Sequence, residues 1–294
     1  MSAASLRAAV LGHPVAHSRS PQLHRAAYEL IGFDCAYERI DVPEAEAGAF
    51  VRRLRTEPGW AGVSVTMPLK AAMVPYMDEV TAGVRSVGVL NTVVVSPGAG
   101  DGGPRLTGHN TDVAGLVGAL RHAGAAPGAH AVVLGAGGTA QAAVAALARL
   151  EAARVDVHAR SFRADADGEV GVAATAARAG IAVNLQPWEA AAAACAAADI
   201  VICTLPPHGA DALAGRFAVL GADRTGAVLL DAAYDPWPSA IAAAWQDAGG
   251  RIVPGLEMLL YQAVEQVRLF TGKAPADEAS VINVMCDAVG LPRR

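Results

Sequence analysis

The stretch that decides the fold runs from 131 to 147, "AVVLGAGGTAQAAVAAL". Four apolar residues lead into Gly135, Ala136, Gly137, Gly138, Thr139 and Ala140, and an alanine-rich run of helix formers follows. A strand, a G-x-G-x-x-A turn and a helix in that order are the parts of a dinucleotide-binding βα unit. Gly135 permits the tight turn, Gly137 lets the backbone approach a pyrophosphate, and Ala140 keeps the helix close to the sheet. The pyrophosphate would sit on the helix N-terminus, where open N–H groups and the helix dipole favour an anion. In a chain rich in Gly and Ala, a tight turn without a ligand is the plain alternative.

Downstream, "ARVDVHAR", "IAVNL", "ADIVICTLPP" and "GAVLLDAAY" repeat the strand pattern with helical stretches between them, which predicts a parallel sheet. At the end of the next strand an NAD-binding chain places Asp or Glu on the ribose. This chain reads "HARSFR" there. Arg160 and Arg163 suit a 2′-phosphate, with Ser161 donating a hydrogen bond, so NADP is favoured over NAD. Two solvated arginines on a loop are the alternative.

Upstream, "LRAAVLG", "CAYERIDV", "WAGVSVTM" and "LNTVVV" alternate with helix-like "SPQLHRAAYELIG" and "EAEAGAFVRRLRTE", a second α/β series. The Gly- and Pro-rich segment 96–108 reads as a loop, with a hairpin turn at 98–104. The alanine-rich segments 140–149 and 188–198 read as helices packed closely on a sheet. A last long helix, "LEMLLYQAVEQVRLFTG", stops at Gly272. The fold class is α/β in two domains: an N-terminal domain with a mostly parallel sheet, and a Rossmann-like domain. Residues 1–110 with 254–294 are expected to form the first, and 111–253 the second, inserted between its parts.

Composition narrows the function. At 294 residues the chain suits two medium domains, and 53% hydrophobic with 17% charged residues excludes disorder. The formal net charge of −5, with both signs interspersed, leaves no basic stripe for nucleic acid and no polybasic membrane anchor. No run reaches the roughly 18 apolar residues of a membrane span. The N-terminal "MSAASLRAAVLGHPVAHS" reads as a first strand rather than a secretory signal. Cys35, Cys195, Cys203 and Cys286 form no C-x-x-C pair and the histidines fall in no metal-binding frame, so reduced thiols, a cytoplasmic location and no metal are expected. Small molecules are the expected partners of a monomer or homodimer.

Four polar segments fall where an α/β protein puts its ligand-binding loops. "GHPVAHSRSPQLH" offers Ser18 and Ser20; with Pro21 behind it, Ser20 also reads as a helix N-cap. "GVSVTMPLK", 62–70, reads as a half-buried strand carrying Thr66 and ending on Lys70. "GVLNTVV" offers Asn91, equally a strand-end turn residue. "TGHNTDVAG" offers Asp112, equally the N-cap of the helix after it.

As an ordered set these motifs resemble the shikimate dehydrogenases along nearly the whole chain. "GHPVAHSRSPQLH" matches that family's G-x-P-(x)2-H-S-x-S-P-x-x-H, "SVTMPLK" its N-V-T-x-P-x-K, "GVLNT" its G-A-V-N-T, and "GHNTD" its G-x-N-T-D. "GAGGTA", the "RS" at 160, "YDPWPS" and "EMLLYQ" follow in the same order. The resemblance implies reduction of 3-dehydroshikimate to shikimate by NADPH, a step towards chorismate and the aromatic amino acids. It implies Lys70 and Asp112 as the catalytic pair in a cleft between the domains, with Ser18 and Ser20 on the substrate carboxylate. Thr66, Asn91 and Gln262 would bind the ring hydroxyls, with Tyr234 nearby. Gly135, Ala136, Gly137, Gly138, Thr139, Ala140, Arg160, Ser161, Arg163, Thr204, Gly255 and Met258 would line the NADP site. The departures are Ser64 and Ala159 for Asn, Leu90 for Val, His109 for Asp and Ser239 for Thr. A quinate or aminoshikimate dehydrogenase of the same family is the near alternative. A non-catalytic NADP-binding regulator is the distant one, which would have no need of Lys70 and Asp112 together.

Overall fold

A computed structural model describes residues 6–98, 103–162, 164, 171–273 and 277–294. The chain divides into two compact units, residues 1–111 with 259–294, and residues 112–258.

The first unit begins with β1 (Leu6–Gly12), α1 (Ser20–Ile31), β2 (Cys35–Asp41), α2 (Ala47–Thr56) and β3 (Trp60–Val65). The one-turn α3 (Leu69–Ala72), β4 (Glu79–Val80), α4 (Ala82–Val87), β5 (Thr92–Ser96) and β6 (Arg105–His109) follow. Its sheet has the order β2-β1-β3-β5-β6-β4. β5 runs antiparallel to both neighbours, while the other pairings are parallel. β5 and β6 form the expected hairpin pair, with residues 99–102 of its turn outside the described part.

Alternation along β1 sends Ala8 and Val10 to one face and Ala9 and Leu11 to the other, and all four are buried. A strand covered on both faces reads as a continuous apolar run, as "AAVL" does. α1 turns Leu23, His24, Ala27 and Tyr28 inward and stops at Gly32, whose φ of 66° only glycine adopts without strain.

The second unit holds α5 (Asp112–His122), β7 (His130–Leu134), α6 (Gly138–Arg149), β8 (Arg154–Ala159), α7 (Gly171–Ala179), β9 (Val183–Pro187) and α8 (Ala191–Ala197). β10 (Ile200–Cys203), α9 (Asp211–Val219), β11 (Val228–Asp231), α10 (Ala240–Asp247) and β12 (Arg251–Pro254) complete it. Its sheet, β12-β11-β10-β7-β8-β9, is parallel throughout. The order reverses at β7, the switch point where doubly wound folds bind ligands beyond the strand ends. Small side chains let the helices close down on the strands: Ala140, Ala142, Ala143 and Ala146 of α6 have no exposed surface.

α11 (Gly255–Thr271) carries the chain back into the first unit at Leu259, and α12 (Glu278–Val289) packs on α1. Leu260, Ala263, Val264 and Val267 of α11 share a core with Ala8, Val10 and α1.

Two sequence expectations are corrected. The strand at 62–70 is not half-buried, because all six residues of β3 are buried. Nor does it end on Lys70: β3 stops at Val65, and Lys70 lies on α3, which forms beyond Pro68.

Candidate functional site

In the first unit the polar residues gather at one end of the sheet. The ends of β1, β3 and β6 and the start of β5 meet there, because β5 runs backwards and pairs Thr92 with Ser64 and with His109. Backbone hydrogen bonds hold the loops together: Thr66 N–H donates to Leu11 O (2.8 Å) and His13 N–H to Met67 O (3.0 Å). A Cβ on Gly12 would fall 2.9 Å from Met67 O, so that approach requires glycine. Leu90 N–H donates to Lys70 O (3.1 Å) and Val65 N–H to Asn91 O (2.7 Å), which sets Lys70 and Asn91 on adjoining segments.

Asn91, Thr111 and Gln262 form one buried cluster. Thr111 N–H donates to Asn91 Oδ1 (2.7 Å), which fixes the amide orientation. Asn91 Nδ2 then donates to Thr111 Oγ1 (2.9 Å) and Gln262 Oε1 (3.3 Å), and Gln262 Nε2 donates to Leu259 O (3.0 Å). Sequence reasoning assigned no role to Thr111, although it stands inside the quoted "GHNTD".

Ser18 and Ser20 are also buried, and their hydroxyls are 3.2 Å apart. The N-cap reading of Ser20 is corrected. Ser20 is the first residue of α1, Arg19 holds the cap position, and Ser18 Oγ accepts Ser20 N–H (3.3 Å). Asp112 likewise opens α5 as its first residue, one position inside the cap, and is buried. Thr66 and Lys70 are half-buried.

Ser64, which stands where the family pattern has Asn, accepts a hydrogen bond from Tyr37 Oη (2.6 Å) and donates to Gln266 Oε1 (2.8 Å). His24 stacks on Tyr37 with ring centroids 4.1 Å apart. Its Nδ1 meets Tyr28 Oη (3.1 Å) and its Nε2 meets Gln266 Oε1 (3.1 Å). Burial drives its pKa down to about 3, against the hydrogen bond to Gln266 Oε1, so it is neutral at physiological pH. Burial also holds the Tyr37 hydroxyl protonated by raising its pKa. Gln266 was missed, yet it lies one turn beyond Gln262 on an otherwise apolar helix face, and that i, i+4 repeat is a readable signal.

In the second unit Gly135 has φ of 111°, and a Cβ there would lie 2.5 Å from Thr204 Oγ1. Thr204 Oγ1 donates to Leu134 O (2.8 Å), so the threonine braces the glycine turn from below. Gly137 caps α6 and is exposed, and a Cβ on it would meet nothing within 4 Å. The exposed cap, the N-terminus of a 12-residue helix and the fully buried Ala140 suit a pyrophosphate. Ala136, Gly138 and Thr139 are half-buried around that turn.

Arg160 and Ser161 are exposed just past β8. Arg163 lies outside the described residues. Gly255 opens α11 where a Cβ would fall 2.1 Å from Ala232 O, and Met258 is buried in the same turn. Tyr234 is half-buried after β11. Ser239 caps α10 and donates to Asp231 Oδ2 (2.6 Å), a use that needs only the hydroxyl it shares with Thr.

Among the described residues no group of three or more His, Cys, Asp and Glu is placed to hold a metal ion, and no helix is long and apolar enough to cross a membrane.

A parallel sheet with a glycine turn at its switch point, in a chain whose other unit has a sheet ending in hydroxyls and amides, defines the class of dinucleotide-binding α/β dehydrogenases. Residues 10–93 match the family model of the shikimate dehydrogenase substrate binding domain, and 255–285 that of the shikimate 5′-dehydrogenase C-terminal domain. A shikimate dehydrogenase (NADP(+)) of Methylobacterium radiotolerans is 40% identical over 283 residues, 94% of each chain. The crystal structure of Mycobacterium tuberculosis shikimate dehydrogenase superposes with a TM-score of 0.80 at 42% identity, covering 97% of this chain and 99% of that one. That of shikimate 5-dehydrogenase from Thermus thermophilus in complex with NADP(H) and shikimate gives 0.72 at 30% identity over 96% and 99%. The chain belongs to the shikimate dehydrogenase family.

Proposed function

We propose that the chain catalyses the reversible reduction of the 3-keto group of 3-dehydroshikimate to the hydroxyl of shikimate with NADPH, in the cytoplasm. The observation that carries this reading is the buried cluster of Asn91, Thr111 and Gln262 in the first unit. Neutral amides and hydroxyls are the groups that recognise ring hydroxyls, and a site built from them rejects analogues that leave a buried partner unsatisfied. The names of relatives 37–40% identical over at least 90% of the chain support the substrate and the cofactor.

In this reading the first unit binds the substrate. Ser18 and Ser20 take the carboxylate, while Asn91, Gln262 and Thr66 take the ring hydroxyls. Tyr234 of the second unit adds to the substrate-binding set. The second unit binds the dinucleotide through the glycine turn 135–140, with Arg160 and Ser161 on the 2′-phosphate and with Thr204, Gly255 and Met258.

NADPH, when bound, supplies the hydride to the C3 carbonyl carbon. Lys70 polarises the carbonyl and donates one proton from Nζ to its oxygen, since a lysine ammonium is the charged form in water near neutral pH. Asp112 favours that charge and fixes its direction. In the oxidative direction the same Nζ takes the proton back from the substrate hydroxyl.

The test is initial-rate reduction of NADP+ with shikimate, against NAD+ and against quinate, for the parent and Lys70→Ala. Dominant activity with shikimate and NADP+ is expected, with the variant's kcat lower by about 10^3, the scale of lost general acid–base catalysis. Dominance of quinate or NAD+ moves the chain to a sister activity, and no turnover with any pair makes it a binding protein.

A further inference from the structure

The two ends of the site in the first unit are joined by a hydrogen-bonded chain whose direction can be worked out atom by atom. Gln266 is its junction. Asn91 O can only accept, so the side of the Gln266 amide that faces it (3.4 Å) is Nε2, which also donates to Thr92 Oγ1 (2.9 Å). Oε1 therefore faces Ser64 and His24. It accepts the Ser64 proton and the His24 Nε2 proton, and Tyr28 Oη donates to the other ring nitrogen.

Elimination carries the direction outward in both senses. Ser64 has spent its one proton on Gln266, so it accepts from Tyr37. Tyr37 has then spent its own, so the hydrogen bond between Tyr37 and Ser20 is donated by Ser20. Ser20 in turn accepts from Ser18 (3.2 Å). On the other side Thr92 accepts from Gln266 and donates to Asn91 Oδ1 (2.9 Å). Asn91 donates to Thr111, whose hydroxyl proton has two acceptors in reach, Gln262 Oε1 and Asn91 Oδ1, each at 3.2 Å.

A hydroxyl reverses its role by rotating a proton, whereas a primary amide reverses only by turning over. Turning Gln266 over would set Oε1 against Asn91 O and force His24 into its other tautomer, around a residue only 1% exposed.

We propose that Gln266 is a positioning residue that locks the direction of this chain, and through Thr92 reinforces the Asn91 amide orientation that Thr111 N–H sets. Ser18 and Ser20, on the far side of the junction, are free to turn their protons when an anion arrives, while Tyr37 keeps its proton on Ser64. The two serines do so without upsetting Asn91, because the fixed amide of Gln266 separates the two halves. The inference deepens the proposed function and rests on it for the identity of the substrate.

The experiment compares the parent with Gln266→Met, which keeps the length without donor or acceptor, and with Thr92→Val, which cuts only the link to Asn91. For each variant, KM and kcat for shikimate and KM for NADP+ are measured, alone and combined with Asn91→Ala. In Gln266→Met the expected result is a rise of about tenfold in KM for shikimate, equal to one or two hydrogen bonds, with KM for NADP+ unchanged. Thr92→Val moves it in the same direction by less, and both effects shrink towards nothing when Asn91 is already alanine. An equal loss with and without Asn91 overturns the proposal, as does an unchanged KM in both single variants.

The side-chain NH2 signals of Asn91 in a 15N spectrum are read on the same samples. They are expected to move in Gln266→Met and in Thr92→Val, and signals that stay in place in both overturn the proposal without reference to turnover. A parent with no activity on shikimate removes the proposed substrate, and the spectrum still decides the role of Gln266.

Discussion

The two units hold their sites by opposite means. In the second, the sheet around the switch point is apolar: Val132, Val133, Leu134, Val201, Ile202 and Leu229 have no exposed surface. What it presents at that turn is backbone, a glycine turn and the end of α6, with the exposed Arg160 at the rim. In the first unit the sheet end is filled by His24, Tyr37, Ser64, Asn91, Thr92, Thr111, Gln262 and Gln266, each using others of the set as partners. Backbone needs only to be held in shape, and tight apolar packing does that. Side chains that recognise hydroxyls must themselves be held by side chains, so polarity spreads inward from the site.

The sharpest way to break this contrast is to disturb the backbone site. Gly135→Ala places a Cβ at φ 111° and 2.5 Å from Thr204 Oγ1. The strain, about 3 kcal/mol at the upper end for such a conformation, should appear as lower stability in urea and a higher KM for NADP+. KM for shikimate should stay put. An Ala variant as stable as the parent would show that the turn is not held by its backbone.

The next largest effect belongs to the polar unit. The folded-state pKa of His24 lies far below the 6.5 of the unfolded chain, at about 3. Between those values the unfolded chain binds a proton that the folded one refuses, so this residue's contribution to stability falls as pH drops through that window. From pH 7 to pH 5 the loss is about 2 kcal/mol. Urea unfolding at the two values should show it in the parent and not in His24→Asn, and equal slopes would mean that His24 titrates normally.

The smallest of the three tests the rim. Arg160→Ala should raise KM for NADP+ about tenfold, the worth of one charge-assisted contact, and leave KM for NAD+ nearly unchanged. A similar change for both cofactors would take Arg160 off the 2′-phosphate.

Much of this was legible in the sequence, for reasons that differ between the units. The strands and the glycine turn follow from local pattern, since a strand buried on both faces and a G-x-G-x-x-A turn are each written in consecutive residues. Lys70 was placed on a strand because "SVTMP" alternates; the proline and the turn beyond it build α3 instead. The chain through Gln266 was not legible. It joins α1, β2, β3, β5 and α11, with partners up to 242 positions apart in His24 and Gln266, and no local pattern records that. Only the second glutamine on α11 and the His24 that ends "SRSPQLH" hinted at it.

Ser64 gives the last point a bearing on grafting. Tyr37, Ser64 and Gln266 are complementary as a trio, because each hydroxyl has one proton and the amide accepts on one side only. An asparagine set in place of Ser64 would bring two donors where the serine has one, and a larger body, to a position 4% exposed, facing an oxygen that also accepts from His24. The three positions are therefore coupled, and a single-site graft of asparagine at Ser64 is expected to need compensating changes at Tyr37 and Gln266, the letter of the motif without its grammar being too little.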